Sequence, residues 1–309
     1  MVTYSLIESI HMKKWLKSTD TITFEVRDRI AWITMNRPDK RNALSWKALQ
    51  EIRDALLEAD DLTSVHCVVL GGNGRDFCSG WDLTGGESSP VKEQQATAEA
   101  PPPEYRSATA TIDDDMWQLQ RMNELRLVMF EMHKPVIAKI QGNCLANGTD
   151  IAMLADLVIV ASDARIGYPP VRAQGSPPSH MWLYHMGPQW AKRMLLTGDL
   201  LRGKDAARLG LALESVPAAK LDAHVEALAK RIAATAPDLL ACNKRVVNLG
   251  LELMGMKTLQ RLASEIDARG HLSAGRMQFR HSVEELGLKE AVRKRDAAFG
   301  DGMVEYSWD

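Results

Sequence analysis

Chemistry in this chain begins at a short turn. Residues 142–150 read GNCLANGTD, small and polar, after the strand-like PVIAKIQ (135–141) and before the apolar run 151–154. A small-residue turn that opens a helix leaves the first backbone N–H groups without intrahelical partners. With the positive end of the helix dipole, those donors favour negative charge in front of them. A carbonyl oxygen seated there would be stabilised as charge developed on it. Asp150 adds a carboxylate that suits the dipole and could serve as acid or base. Ordinary strand–turn–helix punctuation explains the same residues. What makes the turn informative is a second one upstream, where VHCVVL (65–70) runs into GGNGRDFCSGWDL (71–83), with glycines at 71, 72, 74 and 80.

Both turns need strands to carry them and helices to follow. Ile22, Phe24 and Val26 alternate, as do Ile30, Trp32 and Thr34, which predicts two short strands around Arg27-Asp28. Leu49, Ile52, Leu56 and Ala59 recur at helical spacing after Ser45, a suitable N-cap. A helix is expected from Asp113, with Leu119, Met122, Leu125, Met129 and Met132 as its buried stripe. LVIVA (157–161) is a further buried strand. The proline-rich loop 164–180 leads to a helix that Ser179 could cap, and Pro188 to another that Gly198 closes. After a short strand at Leu213–Val216 the pattern is helical: 218–235, 237–252, 255–268, and 282–297 beyond a break at Gly270–Gly275. Residues 84–111 hold three consecutive prolines and almost no large apolar side chain, the pattern of a flexible insertion.

The layout is strand, glycine turn, helix, repeated, then an all-helical last third. It predicts an α/β fold of stacked sheets with helices outside and the site at the strand-to-helix turns. Three segments are expected: an N-terminal extension (1–20), a core (21–217, interrupted by 84–111) and a helical C-terminal region (218–309). Helices with apolar stripes and no sheet of their own point to packing on a neighbour, hence a homo-oligomer.

Composition narrows the function classes. The 309 residues carry 38 Lys and Arg against 40 Asp and Glu, a net charge of −2, which gives no reason to expect nucleic acid or an anionic membrane as partner. The four cysteines, Cys67, Cys78, Cys144 and Cys242, lie far apart with no C-x-x-C pair, against a zinc site or disulfide framework and in keeping with a reducing compartment. No apolar run approaches the ~18 residues that span a bilayer, and Glu8 and His11 interrupt the N-terminus as a secretory signal. A cytoplasmic location is expected.

Four stretches carry a resemblance. NRPDKRNAL (36–44), DFCSGWDL (76–83), GNCLANGTDIAMLADLVIVASDARIG (142–167) and LTGDLLRGKDAARLGLALESVP (196–217) resemble, in order and at matching spacing, the motifs of the crotonase (enoyl-CoA hydratase/isomerase) superfamily. The resemblance covers the chain from about Thr21 onward. It implies a crotonase-like spiral of ββα units whose helical C-terminal region trimerises, as a homotrimer or dimer of trimers. It also implies an acyl-CoA thioester as substrate, with coenzyme A part of that substrate and no permanently bound cofactor or metal. Carried over by position, the oxyanion-hole donors are the backbones of Trp81, after Gly80, and of Asn147, before Gly148. Asn147 stands where the family has glycine; if the turn needs positive φ there, asparagine is among the few substitutes. Lys40, Arg41 and Ala43 fall in the turn that the family uses to bind CoA.

The chain also departs from the pattern. Hydratases of this family use two glutamates to hold and activate water. The first falls here at Asp150, one methylene shorter, and the second at Pro170, which has no acid–base capacity. Tyr168, Arg172, His180 and His185 lie nearby. His180 and Tyr168 join Asp150 as candidate catalytic residues, since a histidine titrating near neutrality can replace a carboxylate. A packed ring, a surface ion pair and helix-borne histidines are the ordinary explanations of these four, and His180 is the best functional candidate among them. The expected activity is hydratase/isomerase-type chemistry through a thioester enolate with a single carboxylate. Isomerisation, decarboxylation, C–C hydrolysis or a non-catalytic acyl-CoA-binding role remain open.

Overall fold

The computed structural model describes residues 14–83 and 111–304. Most of the expected N-terminal extension and of the 84–111 insertion lies outside the described residues. Ile22–Arg27 (β1) and Ile30–Met35 (β2) pair antiparallel across Asp28 and Arg29, both at positive φ. Two left-handed central residues give the hairpin turn whose twist matches the strands it joins. Further strands are Cys67–Gly72 (β3), Val136–Ile140 (β4), Asn143–Leu145 (β5), Leu157–Ala161 (β6), Arg165–Gly167 (β7), Leu200–Arg202 (β8) and Glu214–Val216 (β9). One sheet runs β1-β2-β3-β4-β6-β9, parallel except at β1–β2. A small second sheet runs β5-β7-β8. Strand β3 is buried along its whole length, which is why it reads as an unbroken apolar run rather than an alternating one.

The helices are Trp46–Asp61 (α1), Ile112–Glu131 (α2), Asn147–Ala152 (α3), Trp182–Thr197 (α4), Gly203–Arg208 (α5), Leu221–Ala233 (α6), Pro237–Leu253 (α7), Met256–His271 (α8), Ala274–Leu286 (α9) and Leu288–Asp296 (α10). Helix α1 starts as its sequence suggests, with Ser45 accepting from the Ala48 N–H, and buries Leu49, Ile52, Leu56 and Ala59. Helix α6 packs across β2, β3, β4 and β6, and α8 lies along α2. This last pairing builds one side of the site. No helix among the described residues is long and apolar enough to cross a membrane.

Three local expectations are corrected. Ser179 does not cap α4: that helix starts at Trp182 after Met181 with no side-chain cap, and Ser179 is buried in the loop before it. The break expected at Gly270–Gly275 falls at Leu272 and Ser273, where Ser273 caps α9 by accepting from the Arg276 N–H, but the single helix expected at 282–297 is divided at Gly287 (φ 77°) between α9 and α10. Positive φ in the 142–150 turn belongs to Gly142 (φ 58°) and Ala146 (φ 51°, ψ −123°), not to Asn147.

Candidate active site

Three turns lie side by side, in the order in which they occur in the chain. The 36–44 turn meets the 76–82 turn through Ser79 N–H to Arg41 O (3.0 Å), Leu44 N–H to Gly80 O (2.8 Å) and Asp82 N–H to Leu44 O (2.9 Å). The 76–82 turn meets the 141–148 turn through Phe77 N–H to Gln141 O (2.8 Å), Cys78 N–H to Asn143 O (3.0 Å) and Leu145 N–H to Cys78 O (2.9 Å). Side chains lock the same seams. The Asn42 amide donates to Asn73 O and Asp76 O, and Asp76 Oδ1 accepts from the Asn143 N–H at 2.9 Å. Arg37 donates to Asp82 at 2.8 Å and to Ala43 O at 2.7 Å.

This stitching sets Gly80, the residue before Trp81, against Ala146 and Asn147. Gly80 has φ +106°, and a β-carbon on it would lie 2.8 Å from the Ala146 β-carbon and 3.7 Å from the Asn147 nitrogen. Gly148 backs onto Cys78, whose carbonyl oxygen would lie 2.8 Å from an added β-carbon. Asn147 is the first residue of α3, and no backbone carbonyl among the described residues accepts from its N–H. Trp81 meets Trp46 edge-on, ring centroids 6.1 Å apart.

In front of the turns opens a cavity of about 620 Å³, the size of a ligand site. Trp81, Asp82 and Asn147 form the turn side, and Asp115, Gln118 and Met122 come from α2. Tyr168, Pro170 and Gly175 come from the loop after β7, Asp267 and His271 from α8, and Arg276, Phe279 and Arg280 from α9.

Asp150 does not itself line this cavity, although Asn147, Met122 and Tyr168 around it do. Its side chain is fully buried beside that of Arg126, Oδ2 to Nη1 3.6 Å. Neither carboxyl oxygen has a hydrogen-bond partner among the described residues. Burial pushes the carboxyl up to about 8; Arg126 pulls it down, and the negative charge of Asp267 adds to the rise. Asp150 is therefore largely protonated at neutral pH. Buried polar atoms left without partners are rare, and functional sites are where they are tolerated. Tyr168 is also buried, and burial together with Asp150 and Asp267 raises its phenol, which stays protonated at neutral pH.

The model of the enoyl-CoA hydratase/isomerase family matches residues 30–286. The chain belongs to that family. Its structure superposes on an enoyl-CoA hydratase from Mycobacterium smegmatis with a TM-score of 0.83 at 37% identity, covering 92% of this chain and 96% of the other. An enoyl-CoA hydratase/isomerase from Xanthobacter autotrophicus Py2 gives 0.79 at 30% identity, covering 91% and 99%. Crotonyl-CoA hydratase of Syntrophomonas wolfei is 27% identical over 286 residues, 91% of this chain and 98% of that protein. The α/β architecture expected from the sequence is thus the fold of this enzyme family.

Within the family frame, the sequence-derived residues separate. Trp81, Asn147, Gly80, Gly148, Asp150 and Tyr168 come together at the turns and the cavity. Pro170, the position where the resemblance implies an acid, lines the cavity. His180 does not line it: its backbone is clamped on both sides by Gln260, and burial lowers its pKa, keeping the ring neutral. His185 bonds Met153 O at 2.9 Å and is likewise lowered by burial. Arg172 is structural, joining Thr197 O, Asp199 and Asp296 and stacking on Phe299 at 3.9 Å. Lys40, Arg41 and Ala43 stand outside the cavity lining, and Lys40 contacts Asp82 at 3.4 Å.

Sequence reasoning missed the α8 side. Gln260, Ser264, Asp267 and His271 fall on one helical face, and the first three are buried. His271 Nδ1 bonds Asp115 Oδ2 at 2.6 Å, and its Nε2 lies 3.6 Å from Asp267 Oδ1. A polar stripe at i, i+4, i+7 and i+11 in a helix otherwise buried through Met256, Ala263 and Ala268 was the available signal.

Proposed function

We propose that this family member binds an acyl-CoA thioester with its carbonyl oxygen between the backbone N–H groups of Trp81 and Asn147, and stabilises the enolate that forms there. The observation that carries the reading is the juxtaposition of Gly80 and Asn147, which sets the two turns a few ångströms apart in front of a cavity. Donors fixed in place before the reaction stabilise charge without reorganising, and a single such donor is typically worth ~10²–10³ in rate. Enoyl-CoA hydration or double-bond isomerisation is the reaction type, coenzyme A entering as part of the substrate. Asp150, with Tyr168 beside it, is the acid–base group behind the hole. It is shielded and mostly protonated, so it works as a proton donor or through its neighbours. Lys40, Arg41 and Ala43 receive the CoA moiety at the outer edge of the turns.

Pro170 in the cavity wall favours a second reading. Without the family's second acid at this position, one-base chemistry such as isomerisation, decarboxylation or C–C cleavage, or acyl-CoA binding without turnover, becomes competitive. The C-terminal helices expose Val246, Val247, Leu253, Met254, Leu262 and Ile266. Such an apolar surface suits a second copy of the chain and supports a homo-oligomer, for which the family resemblance implies a homotrimer or dimer of trimers. A panel of acyl- and enoyl-CoAs followed for water addition, isomerisation and thioester or C–C cleavage tests the proposal. Turnover of an enoyl-CoA supports it, and saturable binding without turnover across the panel transfers the protein to the binding role.

A further inference from the structure

We infer that Asp267, oriented by the Asp115–His271 pair, is the second catalytic carboxylate of this enzyme, supplied by α8 to the cavity whose wall carries Pro170 in place of an acid. The inference rests on the reading that the cavity holds an acyl-CoA thioester. Asp267 lines the cavity, as Asp150 does not. The loop that carries Pro170 also fixes Asp267. Gly175 has φ +131°, and a β-carbon on it would lie 2.2 Å from Asp267 Oδ1, so only glycine lets the carboxylate rest on the loop backbone. There it accepts the Ser176 N–H. Its neighbour on the same helix, His271, points one ring nitrogen at Asp267 and bonds Asp115 of α2 with the other. An imidazole anchored on one carboxylate has a fixed orientation and presents its other nitrogen to the second.

Asp267 suits both halves of an addition. Burial pushes it up to about 7, with His271, Arg276 and the Ser176 N–H pulling down and Asp115 pushing up. A group divided between its acid and base forms near working pH can do both tasks. In water addition the Asp267 carboxylate takes a proton from water as the water oxygen bonds Cβ. The C=C electron pair moves toward the thioester, whose oxygen carries the charge against the Trp81 and Asn147 N–H groups. As the charge returns, Cα takes the proton from the Asp267 carboxyl. One water is added and the carboxylate is regenerated.

The test uses the full-length enzyme and an enoyl-CoA that it turns over. Asp267→Asn is expected to lower kcat by about 10²-fold or more, within the usual range for a lost acid–base group, while the melting temperature and the affinity for a saturated acyl-CoA stay close to wild type. The acid limb of the wild-type pH profile should vanish with it. His271→Gln should displace that limb while leaving KM little changed, which a merely structural histidine would not do. Asp267→Glu, which keeps the acid, should retain more activity than Asp267→Asn and serves if the amide variant does not fold. A wild type that turns over thioester, with Asp267→Asn equally active and its pH profile unchanged, overturns this inference alone. A wild type that neither binds nor turns over thioesters overturns the acyl-CoA reading beneath it.

Discussion

Gly80 and Ala146 touch across two turns that are 66 residues apart in the chain, so closely that a β-carbon on Gly80 would lie 2.8 Å from the Ala146 β-carbon. The contact sets the spacing of the two proposed oxyanion donors. Gly80→Ala should push the turns apart and also strain a residue at φ +106°. A misplacement of ~1 Å costs about 10²-fold in rate. The expected outcome is a fall of that order in kcat with a thermal unfolding transition that remains cooperative, read from steady-state kinetics beside differential scanning calorimetry.

Asp150 gives a prediction about stability and pH. Its carboxyl rises from an ordinary 3.8 to about 8 in the folded chain, chiefly through burial. The folded state therefore holds this proton at pH values where the unfolded state has lost it. The contribution to stability is complete below about pH 4 and declines as pH rises toward 8, by about 1.4 kcal/mol per pH unit. Asp150→Asn removes that decline. The variant should match wild type near pH 4 and become progressively more stable than it up to pH 8, while losing turnover. Denaturant unfolding at a series of pH values checks this; parallel curves for the two proteins would contradict a buried, protonated carboxyl.

Much of this site was legible because it rests on local patterns. Glycine turns after apolar strands, Ser45 before an apolar-periodic helix and the closing Gly198 each act over a few residues, and the structure places them as read. The α8 stripe was not legible, because a polar residue in a helix reads as solvent-facing until its packing partner is known. Asp267 becomes a cavity residue only when the 168–178 loop and α2 fold against it, contacts over 90 residues or more in sequence. His180 and Arg172 misled for the converse reason: nearness in sequence to the expected acid did not turn them into the cavity, and their partners Gln260 and Asp296 come from distant helices.

Ala146 carries strain that glycine would relieve. At φ 51° and ψ −123° its β-carbon is forced into a region that L-residues rarely occupy, at a cost of ~1–3 kcal/mol, against which glycine's extra unfolded-state entropy sets ~0.5–1 kcal/mol. Ala146→Gly should raise stability by about 1 kcal/mol and leave thioester affinity in place. An unchanged or lower melting temperature would argue that the turn has a different backbone.

Arg172 tests the assignment of structural against catalytic roles. Its buried guanidinium joins the loop after β7 to Asp199 and to Asp296 near the C-terminal end. Arg172→Met should cost about 2–4 kcal/mol of stability by removing the buried cation that links these two carboxylates and donates to Thr197 O, although Asp199 keeps Arg193 and Asp296 keeps Arg295. At temperatures where the variant is folded, kcat should stay within a few-fold of wild type. A large kcat loss without a stability loss would return Arg172 to the site.

The proposed enolate-binding role of the turns is tested most directly by acetoacetyl-CoA, whose β-keto thioester changes its ultraviolet absorption on forming the enolate. Titrated into the wild-type protein at a pH where the free ligand is mainly the keto form, it should show a saturable enolate band that Gly80→Ala weakens or abolishes. Saturable binding with the spectrum of the free keto form, unchanged by Gly80→Ala, would contradict an oxyanion hole between Trp81 and Asn147.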